Sequence, residues 1–208
     1  MAALPNKAAR EESTVTTKTL EQYRDEYKQK SLITMPIAGT IVWFCLGMLA
    51  LFIPAKSMVL PIYIGTGSIF YLALFLSKFT GEKLLVKKEE RNPFDSLFLY
   101  TLGMSWCAFA IAIPFGIQDY SAVPMAIGIV SGLMWLPISW TLEHNVGVVH
   151  TLLRTSLVLL AWLVFPEHSF VVIPFIIVFV YSISLYQLTD RYRKVHAQNT
   201  TNKRVFAS

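Results

Sequence analysis

The stretch Trp140–Pro166 reads WTLEHNVGVVHTLLRTSLVLLAWLVFP, and its long apolar runs are typical of a segment that crosses a membrane. It nevertheless contains Arg154. The residues between Arg154 and Pro166 are too few to span a bilayer, because crossing ~30 Å of hydrocarbon takes about 20 apolar residues. The sequence therefore predicts a helix that begins near Val146 and carries Arg154 about 12 Å inside it, at a rise of 1.5 Å per residue.

Six stretches in the chain have this length and character. They run Leu32–Ile53, Met58–Ser77, Ser96–Phe115, Ala122–Thr141, Val146–Phe165 and Phe170–Leu188. Of the 208 residues, 54% are hydrophobic and only 15% are charged, whereas a soluble domain usually has about 25% charged residues. The sequence therefore predicts an all-α, polytopic membrane protein with six transmembrane helices.

The transmembrane helices are expected to form one domain, residues 32–189, because no connection between them is long enough to hold a second core. A polar segment, residues 1–31, precedes this domain, and a basic tail, residues 190–208, follows it. Within the polar segment, TLEQYRDEYKQK (Thr19–Lys30) has its apolar residues on one stripe, which predicts a short amphipathic helix at the membrane surface.

Lysine and arginine residues lie almost entirely on one side of the predicted membrane. Six precede the first span, five lie between the second and third, and five follow the sixth, whereas Lys56 alone is on the opposite side. Because short cytoplasmic segments carry an excess of Lys and Arg, both termini are expected in the cytoplasm. This distribution, together with attraction to anionic lipid, explains the net charge of +5 without a nucleic acid partner.

The three predicted exterior turns share a pattern of paired prolines. The pairs are Pro54 and Pro61, Pro114 and Pro124, and Pro166 and Pro174. Proline cannot continue a helix but is tolerated in a first turn, so one proline of each pair ends a helix and the other opens the next. The pattern predicts three consecutive helical hairpins. It agrees with a decayed triplication and equally with convergent turn chemistry.

Arg154 lies on a stripe of small and polar residues along the predicted fifth span. The stripe consists of Gly147, His150, Thr151, Arg154, Val158 and Ala161. Such a stripe on a membrane helix points into the bundle, so Arg154 is expected to face protein or a water-filled cavity rather than lipid.

One role predicted for Arg154 is structural. Pro137 should interrupt the fourth span and leave the Leu133 carbonyl without its helical hydrogen bond, and Arg154 could donate to that carbonyl. The same span contains Gly128 and Gly132, a GxxxG pattern that favours close helix packing.

The other role is functional, and the sequence leaves both open with a slight preference for the structural one. Arg154, His150, Thr151 and Glu143 could form a cytoplasm-facing polar site that holds an anion or passes protons.

No catalytic constellation is evident. The arrangement of six spans with a serine in the fourth is similar to that of rhomboid-type proteases. The sixth span, however, lacks a histidine that could act as the base. His144 and His150 are six residues apart, unlike the i,i+4 pair of a helical zinc site. Neither an acidic cluster for magnesium nor a glycine loop for a nucleotide is present. The sequence predicts a protein that is not an enzyme and needs no cofactor.

The stretches LFLSKFTGEKLLVKKEERNPFDSLFLYTLG and GLMWLPISW give the chain a resemblance to a family of small bacterial membrane proteins of unknown function. The shared features are Leu-Ser-Lys at the end of the second span, Asn-Pro at the start of the third, and a proline late in the fourth. The resemblance covers about half of the chain. It implies a multi-pass protein of the bacterial inner membrane and brings no substrate, cofactor or catalytic residue.

Two functions are expected from these observations. The first is a carrier or channel-like protein for a small solute or ion, with the polar stripe of the fifth span in its pathway. The second is an accessory or regulatory protein that acts through a protein partner, with the Lys78–Asn92 connection and the basic tail as contact surfaces. The lipid bilayer is a partner in both cases, and the sequence leaves homo-oligomerisation open.

Overall fold

A computed structural model describes residues 18–86 and 91–205 of the chain. Most of the polar segment 1–31, the centre of the Lys78–Asn92 connection and the end of the tail 190–208 lie outside the described residues. The described part is helical, without a strand. Its helices are α1 (Leu20–Lys28), α2 (Thr34–Leu49), α3 (Val59–Thr80), α4 (Pro93–Gln118), α5 (Val123–Leu133), α6 (Trp135–Leu142), α7 (Val146–Val164) and α8 (Ser169–Val205).

Five helical segments in the described residues are long and apolar enough to cross a membrane. They are Ala55–Thr80, Pro93–Gln118, Tyr120–Leu142, Val146–Val164 and Pro166–Ala197. α2 is also apolar, but its 16 residues span only about 24 Å. Residues 18–86 and 91–205 are therefore all-helical, as predicted, and their long apolar helices are compatible with a multi-pass membrane protein.

α2 is shorter than the predicted span Leu32–Ile53 because the chain leaves helical geometry at both ends of that stretch. Leu32 has a φ of +56°, so the helix begins only after it. Glu82 accepts hydrogen bonds from the backbone amides of Ile33 (2.8 Å) and Thr34 (3.3 Å), which gives the free N–H groups at the start of α2 a carboxylate partner. After Leu49 the chain forms turns and does not continue the helix.

The prolines do not all act as predicted. Pro114 was expected to end the third span, but it lies inside α4, which continues to Gln118. Pro174 lies inside α8 rather than in its first turn. Pro137 does accompany a break, because the fourth predicted span is divided at Met134 into α5 and α6.

One end of the molecule is held by polar contacts from α1. Arg191 of α8 donates to the carbonyls of Lys28 (2.7 Å) and Lys30 (2.6 Å). The Asn92 side-chain amide donates to the carbonyl of Tyr23 at 2.7 Å. The short amphipathic helix predicted from the sequence is present as α1, and Tyr27 of its apolar stripe is buried against Phe94 of α4.

The 3₁₀ turns that precede α3, α5 and α8 lie together at the other end. Ser169 donates to the Ser121 carbonyl at 2.9 Å, and the Trp162 indole donates to the Ser121 hydroxyl at 3.3 Å. Between the two ends, α2 packs on α3 and α8, α7 packs on α5, α6 and α8, and α4 packs on α5. This arrangement brings α2, α5, α7 and α8 around Arg154.

Candidate functional site

The structure buries every member of the stripe on α7, from Gly147 to Ala161. Arg154 and His150 each have no exposed surface, and Thr151 is 3% exposed. The opposite face of α7 consists of exposed leucines such as Leu152 and Leu163. The outer face of α7 is therefore apolar, and its polar residues are directed at the neighbouring helices.

Arg154 is held by neutral groups from three other helices. One guanidinium nitrogen donates to the Ser131 hydroxyl of α5 at 2.7 Å. The guanidinium carbon lies 5.6 Å from the ring centre of Trp43 in α2 and 5.3 Å from that of Tyr181 in α8. Cation–π contacts of this kind contribute about 2 kcal/mol when they are shielded from water. Within residues 18–86 and 91–205, no carboxylate forms an ion pair with Arg154, and its Nε atom has no hydrogen-bond partner.

His150 is the fourth neutral neighbour of Arg154, and the hydrogen bonds define its tautomer. Ser184 donates its hydroxyl proton to the Val180 carbonyl at 3.1 Å, so it can only accept from His150 Nδ1 at 2.8 Å. His150 Nε2 lies 3.4 Å from an Arg154 nitrogen. Because a guanidinium has only donors, Nε2 must be the acceptor in this pair and carries no proton. His150 is therefore a neutral imidazole with its proton on Nδ1. Its ring stacks on Trp135 with ring centres 4.1 Å apart.

The two glycines of the GxxxG pattern have separate neighbours. A side chain at Gly132 would place its first carbon 2.9 Å from Cδ of Arg154, so a glycine here leaves the space that the arginine occupies. A side chain at Gly128 would meet Ile177 of α8 at 3.2 Å. Thr151 donates its hydroxyl to the Gly132 carbonyl at 3.1 Å. α7 therefore binds two successive residues of α5: Arg154 donates to the Ser131 hydroxyl, and Thr151 donates to the Gly132 carbonyl.

Leu133 is not the acceptor for Arg154. The hydrogen bonds of Arg154 within the described residues go to Ser131 and His150, and Leu133 is 39% exposed on the outer side of the bundle. The prediction was wrong by two residues, because the break at Met134 changes the register between α5 and α7.

Glu143 is not brought together with the other predicted site residues. It lies in the turn after α6 with a φ of +48° and forms ion pairs with Lys28 and with Arg24 of α1, the latter at 2.9 Å. A hydrogen bond from Lys28, added to the charges of Lys28 and Arg24, holds the pKa of the Glu143 carboxyl below its usual range. Arg154 is eleven positions beyond Glu143 in the sequence, which corresponds to about 16 Å along a helix.

A cavity of about 520 Å³ lies between α3 and α4 and borders the Arg154 cluster. Its mouth is at the end where α1 docks and includes Glu26 and Lys30. Its deep part includes Ser105 and Ser131. The α4 residues that line the cavity run from Asp95 to Phe109, which are fourteen positions apart, so the cavity extends about 21 Å along that helix.

The walls of the cavity are mainly apolar and aromatic. Ile69, Phe70, Phe98, Leu102, Trp106 and Phe109 contribute to them. The exceptions are charged residues at the end near α1, such as Glu82 and Asp95, and hydroxyl groups in the deep part. Ser131 receives the hydrogen bond from Arg154 and donates to the Ile127 carbonyl at 2.7 Å. Ser105 is 3% exposed, and its hydroxyl has no hydrogen-bond partner.

Several residues of this site were not identified from the sequence. Trp43 could have been noticed, because a tryptophan in the middle of a span is not at the interface where this residue usually lies. Ser105 gave no signal, since single hydroxyls are common in membrane helices. Among the described residues, no group of three or more His, Cys, Asp or Glu residues is placed to hold a metal ion.

The comparisons with known proteins identify a family but no activity. No curated protein and no solved structure matches the chain. A family model, described as a family of unknown function (DUF7010), matches residues 20–191, which are 172 of the 208 residues. The matched region contains both stretches on which the resemblance to an uncharacterised family was based, together with every residue of the Arg154 cluster and the deep part of the cavity. The chain therefore belongs to the DUF7010 family of unknown function.

Proposed function

We propose that this chain is a non-catalytic membrane protein that binds a small solute inside its helix bundle, as a carrier or channel-like protein does. The observation that carries this proposal is the cavity that runs from the charged residues around α1 to Ser105 and Ser131. Its volume of about 520 Å³ falls within the range of roughly 300–1,000 Å³ for small-molecule sites. Apolar walls with a few convergent polar groups are also typical of such sites.

The proposal includes six membrane crossings in three hairpins, with both termini in the cytoplasm of a bacterial inner membrane. Its support is that α1, the turn at Glu143 and Arg191 meet at one end, whereas the turns at Ser121 and Ser169 meet at the other. The basic residues of the sequence cluster in the segments of the first end. In this topology α2 crosses a locally thin part of the bilayer, or its flanking turns complete the crossing.

The absence of an enzymatic role is also a proposal, and it rests on the hydrogen bonds around Ser131. A nucleophilic serine needs a base within hydrogen-bond reach. The imidazole nearest to Ser131 in this cluster is His150, which directs Nε2 to Arg154 and Nδ1 to Ser184. Neither nitrogen is free to accept a proton from Ser131.

The alternative, an accessory protein that acts through the Lys78–Asn92 connection and the tail, predicts a fully packed interior. The cavity favours solute binding over this alternative. The described part of the connection is also used within the chain, because Glu82 contacts the start of α2 and Asn92 holds α1. Residues 87–90 lie outside the described residues.

Mass spectrometry of small molecules that co-purify with the protein tests solute binding. Ser105→Phe would place a ring in the deep part of the cavity, and Ser182→Phe, on the exposed face of α8, is the matched control. We expect at least one compound to be severalfold depleted from Ser105→Phe and retained by Ser182→Phe and the unmodified protein. Identical extracts from all three folded proteins would contradict the proposal.

A further inference from the structure

We propose that the ligand of the cavity is a small amphiphile with one anionic head group, which enters head first and places that group beside Ser131 and Ser105. This inference rests on the proposed function, since it requires that the cavity bind a solute. It adds the chemical class of the solute and the residues that select its charge.

The first argument is the uncompensated charge of Arg154. Its side chain has no exposed surface, and its described partners are a hydroxyl, a neutral imidazole and two aromatic rings. A buried cation is normally paired with an anion, because taking a charge out of water is costly unless an opposite charge replaces the water. Arg154 thus gives the deep end of the cavity a positive charge with which no carboxylate pairs in the described residues. The carboxylates that line the cavity, Glu26, Glu82 and Asp95, lie at its other end and have partners there.

The second argument is the path by which this charge reaches the cavity. Ser131 lines the cavity and lies 2.7 Å from a guanidinium nitrogen of Arg154. An oxygen that hydrogen-bonds to Ser131 from the cavity would be roughly 5–6 Å from the cation, which is close enough for a strong attraction between largely apolar walls. Ser131 would rotate its hydroxyl proton from the Ile127 carbonyl to the ligand and keep the bond from Arg154.

The third argument is independent of Arg154. Ser105 also lines the deep part of the cavity, is 3% exposed and has a hydroxyl group without a hydrogen-bond partner. A buried hydroxyl normally has a hydrogen-bond partner. Because the Ser105 hydroxyl has none, its proton is available to an acceptor that occupies the cavity. Two hydroxyl donors beside a buried cation favour an anion over a neutral alcohol and strongly over a cation.

The rest of the cavity selects an apolar body for the ligand. Between the mouth and the deep hydroxyls, the walls come from apolar and aromatic residues of α3 and α4 such as Phe70 and Phe98. Trp106 lines the cavity and is also 42% exposed, so at this level the wall of the cavity is part of the outer surface of the bundle. The apolar chain of an amphiphile whose head group lies beside Ser131 and Ser105 would therefore contact these walls.

Photolabelling of the purified protein in lipid nanodiscs tests the charge selection. The probes are diazirine derivatives of decanoate, decanol and decyltrimethylammonium. Labelling is measured by peptide mass spectrometry at Ile69 and Leu102, which line the cavity and are only 9% and 8% exposed. It is normalised to labelling at Tyr186, which is 76% exposed on α8 and reports the amount of probe in the lipid.

We expect the decanoate probe to label Ile69 and Leu102 about tenfold more than the decanol probe, and the cationic probe least, because one attraction between opposite charges of this kind corresponds to at least a factor of ten. Arg154→Gln should abolish the preference for decanoate. Ser131→Ala, which leaves the arginine in place, should reduce it. Lys56→Gln removes an exposed cation from the other end of the molecule and should leave the preference unchanged.

Equal labelling by decanoate and decanol, or a preference for decanoate that survives both Arg154→Gln and Ser131→Ala, would overturn this inference and leave solute binding intact. Should Arg154→Gln not fold, Ser131→Ala and competition by unlabelled decanoate against decanol decide the question. If none of the three probes labels Ile69 and Leu102 above the level at Tyr186, this inference fails, and the co-purification experiment with Ser105→Phe decides the proposed function.

Discussion

Arg154 is a cation that the fold surrounds with neutral groups, and its contacts at the residue scale explain how a membrane helix accommodates it. Insertion of an arginine at the centre of a membrane helix costs about 2.5–3.5 kcal/mol. Ser131, His150 and the rings of Trp43 and Tyr181 offset this cost without supplying a negative charge. The structural and functional roles of Arg154 are thus compatible, because the same contacts join four helices and leave the charge available to a ligand.

The Ser131–Arg154 hydrogen bond can be measured against a matched serine. Ser68 of α3 donates to a carbonyl of its own helix at 2.7 Å, as Ser131 does, but no arginine donates to Ser68 within the described residues. We expect Ser131→Ala to lower the free energy of unfolding in detergent by about 1–2 kcal/mol, the range for a hydrogen bond to a charged group in a membrane protein. Ser68→Ala should cost clearly less. Equal losses for the two variants would mean that the bond to Arg154 contributes nothing net.

At the scale of helices, the closest approach in this part of the fold is between α6 and α7. A first side-chain carbon at Gly147 would lie 1.9 Å from the carbonyl oxygen of Trp135, which is far below contact distance and involves backbone on both sides. Gly147→Ala should therefore lower the free energy of unfolding by about 2–3 kcal/mol through overpacking. Gly103→Ala in α4, where the added carbon meets nothing within 4 Å, is the control and should cost nothing. A Gly147→Ala protein as stable as its parent would refute this packing of α6 on α7.

The docking of α1 depends on charge and should therefore depend on pH. The lowered pKa of Glu143 means that its pairs with Lys28 and Arg24 stabilise the docked helix fully above the ordinary carboxyl pKa of about 4.5. This contribution is lost as the pH falls through the lowered pKa of the folded state. A spin label on a cysteine at the exposed position Glu21 should become more mobile in acid.

Glu143→Gln separates this effect from the titration of other carboxylates near α1. In this variant the spin label should already be more mobile at neutral pH, and its mobility should change less on acidification. The same acid response in Glu143→Gln and in the parent would show that Glu143 does not hold α1.

The elements that were predicted correctly from the sequence depend on local properties. Apolar length predicts the long helices, and the break that accompanies Pro137 follows from its missing N–H. What failed depends on tertiary packing. Leu133 was placed opposite Arg154 by counting residues across the turn, and the break at Met134 shifted the register to Ser131. Glu143 is near Arg154 in sequence, but a helix separates the two residues, and its partners come from α1.

At the scale of the whole molecule, the cavity could not have been predicted. It lies between α3 and α4, and its deep end is formed by Ser105, Ser131 and Tyr181, which lie in three different helices. Single hydroxyl groups of this kind have no pattern in the sequence. The buried stripe on α7 indicated that Arg154 faces inward, but only the packing of the other helices creates a space beside it.

The distribution of Lys and Arg predicts that the end of the bundle near α1 faces the cytoplasm. The mouth of the cavity then opens towards the cytoplasm. The proposed function requires that an aqueous path lead from this mouth to Ser105 and Ser131. Thiol labelling in sealed vesicles tests this claim directly, in a background where Cys45 and Cys107 are replaced by alanine. A membrane-impermeant methanethiosulfonate reagent is added to either side of the membrane.

Cysteine is introduced singly at Ser105, at Val158 in the packed interior, and at Tyr100 on the outer face of α4, which is 78% exposed in the isolated bundle. We expect the cysteine at position 105 to react from the side that holds the N-terminus, whereas those at positions 158 and 100 should react from neither side. A cysteine at position 105 that is as unreactive as the one at position 158, in a protein that remains folded, would contradict the account.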